Sequence, residues 1–144
     1  MKKIAVGAVA LVLAGIGGYV ALAPATAEQT AQQPVMPGAP LVMVNLPDTM
    51  TESEKIGQRA FDANCATCHG PNAAGRNGSG PPLVHKIYEP SHHGDEAFQR
   101  AAALGVQAHH WRFGNMPAVP GLTRADVAMI ISYVRALQRV NGID

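Results

Sequence analysis

Two cysteines and a histidine fall within five positions, Cys65-Ala66-Thr67-Cys68-His69, and these are the only two cysteines of the chain. Residues three apart share one side of a helical turn, so both thiols can reach one partner. C-x-x-C-H is the attachment signal of a c-type haem. One thiol adds across each of two vinyl groups on a single edge of the porphyrin, and His69 then lies beneath the iron. Three other chemistries use the same residues. A redox dithiol needs a strand before it and a βαβ frame around it, and no such pattern is visible. A structural zinc site needs two further strong ligands, which the six histidines keep open. A disulfide across two residues of a helix is geometrically awkward.

A second ligand has to come from elsewhere. Gly114-Asn115-Met116-Pro117 places a methionine in a rigid turn 47 positions after His69. Most methionines are flexible core filler, which is the role expected of Met129 among aliphatic residues. Met36, Met43 and Met50 fall in a segment that reads as linker. At a turn a gap-filler is not needed, so the Met116 thioether is the preferred group for the far side of an iron. His109 and His110 are its rivals at similar reach.

With these pieces in order, the chain from residue 52 to 144 resembles a class I, mono-haem c-type cytochrome. The matching segments are Cys65-Ala66-Thr67-Cys68-His69, Gly80-Pro81-Pro82-Leu83 and Gly114-Asn115-Met116-Pro117, with a helix at each end. The resemblance implies an all-α cytochrome c fold, its helices packed around one covalently bound haem c. It implies Cys65 and Cys68 as thioether donors and His69 and Met116 as iron ligands. The Pro81 carbonyl would hold the other imidazole nitrogen of His69. Trp111 and Arg112 are expected near the haem, the indole N–H or the guanidinium meeting a propionate; for Arg112 a solvated surface charge is an equal reading.

The function so implied is one-electron transfer rather than enzymatic catalysis, because both axial positions are filled. A methionine ligand raises the potential, which suits exchange with oxidases, reductases or dehydrogenase complexes. A haem subunit fixed in a larger periplasmic oxidoreductase is the alternative, and a gas-binding haem protein, which needs an open sixth position, is a weaker one. The net charge of +1 gives no sign of a nucleic-acid surface.

Three segments are expected. Residues 1–27 begin Met1-Lys2-Lys3, continue through 20 uncharged residues from Ile4 to Ala23, and end Ala25-Thr26-Ala27. This is a secretory signal or an N-terminal membrane anchor. The length of the apolar run favours the anchor and the Ala-x-Ala site favours cleavage, with the balance tipping slightly to the anchor. Either places the domain outside the cytoplasm, on the periplasmic side. Residues 28–50, rich in Pro, Gln and Ala, read as a linker, with Leu41–Val44 an apolar strip along the domain. Residues 51–144 form the haem domain.

Within that domain, Thr51 and Glu54 form a capping box for a helix reaching about Cys68, with Ile56, Ala60, Phe61 and Asn64 at helical spacing. Gly70–Pro90 reads as loop. Asp95–Leu104 reads as a helix with Ala97, Phe98, Ala101 and Leu104 inside, stopped by Gly105. Thr123 to Asp126 start a last helix, which runs to about Val140 with Val127, Ile130, Val134 and Leu137 as its stripe. The resemblance has Gly57 touching Ile130 and Tyr133 where the end helices cross. The pairs His92-His93 and His109-His110 are polar loop residues or, if brought together, ligands for copper or zinc.

Overall fold

The computed structural model describes residues 36–144. The expected leader, 1–27, and the first part of the linker lie outside the described residues. Four helices follow in order: α1 Glu52–Asn64, α2 Ala66–His69, α3 Asp95–Leu104 and α4 Arg124–Val140. Single 3-10 turns at Pro71–Ala73 and Lys86–Tyr88 shape the long loop between α2 and α3. The described residues hold no strand, only isolated bridges of Arg76 with Gly80 and of Val106 with Met116. The fold is all-α, as the sequence implies.

Both end helices start on complete capping boxes. The Thr51 N–H donates to Glu54 Oε2 at 2.7 Å, and the Glu54 N–H donates to Thr51 Oγ1 at 3.2 Å. Thr123 and Asp126 repeat the exchange at 2.9 and 3.2 Å. Each box satisfies helix-end donors that would otherwise be orphaned. Glu54 does a second job, accepting from Arg139 Nη2 at 2.9 Å and so tying the start of α1 to the end of α4.

The two helices cross at Gly57. A Cβ built there would stand 1.8 Å from the Met129 carbonyl oxygen and 3.1 Å from the Ile130 nitrogen. Only a hydrogen fits, so the backbones touch. The expected contact with Ile130 is present, and Tyr133 packs beside it against Phe61, ring centroids 5.7 Å apart. Phe61, Ile130, Tyr133, Val134 and Leu137, with Ala73, Leu83 and Val84 from the loop, make the core. The whole expected α4 stripe is buried.

Two expectations need correction. The first helix does not run through to Cys68: it breaks at Cys65, whose φ of −118° lies off the helical value, and α2 is a separate turn. Leu104 is 78% exposed. At the last residue of α3 the inner face has run out of neighbours, and Gly105 turns the chain away. The buried residue of that helix is Gln99, which donates to the Arg124 carbonyl at 3.0 Å.

Residues 36–50 are not a free tether. Leu41 and Val42 donate to the Ala74 carbonyl, Gly38 donates to Asn77 and Asn77 to Ala39. Asn45 exchanges two hydrogen bonds of 2.9 Å with Asn141, and Val44 and Met50 pack on the core. The folded body therefore begins at least fifteen residues before Thr51.

Candidate functional site

The pentapeptide straddles the break between α1 and α2. The Cys65 N–H still donates to the Phe61 carbonyl at 2.7 Å, and the His69 N–H donates to the Cys65 carbonyl at 2.9 Å. The kink leaves Cys68 exposed and Cys65 half-buried, while His69 is buried. All three line one cavity of about 550 Å³ with mostly apolar walls.

The imidazole of His69 is set by the loop. Its Nδ1 lies 2.9 Å from the Pro81 carbonyl oxygen. A carbonyl only accepts, so Nδ1 carries the proton and Nε2 keeps a free lone pair. Burial pulls the pKa of His69 below the usual value, and the Pro81 bond opposes that. The ring is thus held neutral, in the tautomer a metal ligand requires. Pro81 can do this because the chain around it is fixed: Leu83 donates to the Ala73 carbonyl at 2.9 Å, and Gln138 Nε2 donates to the Leu83 carbonyl at 2.8 Å.

The segment after α3 supplies another part of the wall. Val106 and Met116 exchange backbone hydrogen bonds, both 2.9 Å, and the Asn115 side chain accepts from Ala108. This clamp holds Met116 on the cavity wall. Gly105, with φ +76°, makes the clamp possible: a Cβ there would lie 2.5 Å from the Met116 carbonyl oxygen. Trp111 and Phe113 stack on the same wall, and His85 meets the Trp111 ring edge-on at 5.1 Å.

The cysteines do not suit the competing chemistries. Burial, and then the neighbouring Cys68, push the Cys65 thiol up to about 11. A redox dithiol works through a lowered pKa. Among the described residues no cysteine joins a cluster of three ligating side chains. A porphyrin, by contrast, fits the space. The walls are apolar, and they hold one buried donor without a partner, the indole Nε1 of Trp111. Tyr88, whose phenol is pushed up to about 12 chiefly by burial, stands near enough to feel that indole, but no hydrogen bond is completed. A flat apolar ring with carboxylate arms would satisfy both features.

The structure brings Cys65, Cys68, His69, Pro81, Trp111 and Met116 to one cavity. It does not bring Arg112, which is exposed and off the wall; Arg100 from α3 stands there instead. Sequence reasoning also missed Arg135 and Gln138. Arg135 donates to the carbonyls of Tyr88 and His93, to Asp95 Oδ1 and to Gln138 Oε1, at 2.6 to 3.0 Å. The pair pins the loop that supports the cavity. The available signal was register: 135 and 138 follow Ile131 at i+4 and i+7, on a buried face.

Residues 54–138 match the family model described as Cytochrome c. No curated protein matches the chain.

Proposed function

This chain belongs to the cytochrome c family, whose members bind haem c covalently, and from that premise we propose a one-electron carrier with His69 and Met116 as its axial ligands. The observation that carries the reading is the pairing of His69 with Pro81 at 2.9 Å, which leaves Nε2 free on a cavity wall with Met116 in the same cavity. The haem supplies the ferric–ferrous couple. What the chain supplies is a fixed frame for it. Cys65 and Cys68 would hold the haem covalently through thioethers, which would prevent its loss. Pro81 keeps the imidazole from rotating and raises its basicity. The Val106–Met116 clamp fixes the backbone of Met116, so its thioether would be presented from a rigid turn. The orphaned Trp111 N–H is the donor for a propionate. Cys68 is exposed, so the tethered edge is the surface for a redox partner, met through a small and transient interface.

Export to the periplasmic side is part of the proposal and rests on the character of residues 1–27. If that leader is retained as an anchor, it confines the carrier near membrane partners and raises their effective concentration.

Two measurements test this. Acid-acetone extraction of denatured protein should leave the pigment on the chain. The ferric protein should show the near-infrared band of methionine–iron ligation. Freely extracted pigment sinks the thioether assignment. A missing band, together with carbon monoxide binding to the native ferrous form, transfers the protein to the gas binders.

A further inference from the structure

His92 and His93 lie in the turn before α3, and His109 and His110 in the segment leading to Trp111. The fold brings the two pairs together. His92 Nε2 and His110 Nε2 face each other at 3.4 Å. The His93 ring centroid is 5.3 Å from that of His110 and 4.6 Å from that of His92. One ring nitrogen from each of His92, His93 and His110 lies within 4.8 Å of the other two.

The spacing has a chemical meaning. Two imidazole nitrogens bound at about 2.0–2.1 Å to one tetrahedral ion lie roughly 3.4 Å apart, the separation found between His92 and His110. The third ring is already oriented. The Ile87 carbonyl, 2.6 Å from His93 Nδ1, fixes the proton there and leaves Nε2 as the ligand atom. His109 is set in the same way by the Gln107 carbonyl at 2.8 Å and stacks on His93, which places a fourth imidazole beside the three. His92 and His110 are exposed, so an ion can enter from solvent.

We propose that His92, His93 and His110 form a binding site for one divalent transition ion of the class that prefers imidazole, Zn2+ or Cu2+, separate from the haem iron. Three neutral nitrogens and no carboxylate exclude Ca2+ and Mg2+, which take oxygen ligands. His92 is not on the cavity wall, whereas His93, His109 and His110 are, so the ion sits at the rim of the haem cavity. Positive charge there favours the ferrous over the ferric haem. This last consequence rests on the electron-carrier reading; ion binding itself does not.

The test is calorimetric titration of ZnCl2 into the full haem-loaded chain without an affinity tag. One ion per chain should bind saturably, and His92→Ala and His110→Ala should each weaken binding at least tenfold. His92→Ala should leave the haem spectrum unchanged, which shows that the domain is intact. The haem midpoint potential should rise on adding Zn2+, and in His92→Ala it should not. Absence of saturable binding up to millimolar zinc, or binding that neither substitution weakens, overturns the site. A His110→Ala chain with an altered haem spectrum and undiminished zinc affinity also overturns it, by assigning that imidazole to the iron.

Discussion

His69 has two ring nitrogens, and the Pro81 carbonyl occupies one of them. The same economy governs Met116, whose backbone is engaged on both sides by Val106 while its thioether stays free. Replacing that soft sulfur by a nitrogen donor removes the preference for ferrous iron. Met116→His should therefore lower the midpoint potential by on the order of 0.1 V, a fraction of the roughly 0.8 V that axial ligands span; redox titration measures it, and an unchanged potential would show that Met116 is not the ligand. Two tyrosines govern the alkaline limit. Burial, before any other cause, pushes the phenols of Tyr88 and Tyr133 from 10.0 up to about 12. A raised folded pKa means stability that is intact below pH 10 and lost as pH rises from 10 toward 12, because the unfolded chain ionises first. Tyr133→Phe loses the bond to Asn72, about 1 kcal/mol at neutral pH, but should decline less steeply across that alkaline window. Urea midpoints at pH 8 and pH 11 compare the two slopes, and equal slopes would remove Tyr133 as a cause.

At the scale of elements, the decisive approach is α1 on α4. Gly57 lets the Met129 carbonyl come to where a side chain would begin, and the obstacle is backbone, which cannot rotate out of the way. Gly57→Val should cost about 3 kcal/mol or more, the upper end of overpacking, and lower the denaturant midpoint of the haem-loaded protein. A midpoint equal to that of the parent chain would mean the helices are free to separate. The capping boxes of Thr51 and Thr123 were legible because they are local: every atom involved lies within four residues. The break at Cys65 was not legible, since nothing in Phe61-Asp62-Ala63-Asn64 interrupts a helix. It arises where the chain leaves α1 to carry His69 toward Pro81.

At the scale of the molecule, residues 36–50 close over the loop that follows α2, through backbone bonds to Ala74 and Asn77 and side-chain bonds to Asn141. Composition reads the stretch as linker because Pro and Ala dominate what precedes it; only the apolar Leu41–Val44 strip was legible as lying on the domain, and the bonds to Ala74, Asn77 and Asn141 join partners far along the chain. A chain beginning at residue 51 exposes the surfaces that Val44 and Met50 cover, and it should lose roughly 2–4 kcal/mol. Thermal melting of the two lengths tests this, and coincident transitions would return the segment to the status of a tether. Among the described residues no helix is long and apolar enough to cross a membrane.

Spacing marked the residues that could hold a cofactor, and the family resemblance assigned their roles. Cys65, Cys68 and His69 fall within five positions and Met116 falls in the Gly114–Pro117 turn, so local spacing made them candidates before anything was folded. What the tertiary structure decided were the long-range meetings. It turned Arg135 and Gln138 inward, chose Arg100 over Arg112 for the cavity wall, and joined two histidine pairs. Those outcomes depend on which faces pack, and packing is set by the shape of the whole core rather than by any neighbouring residue.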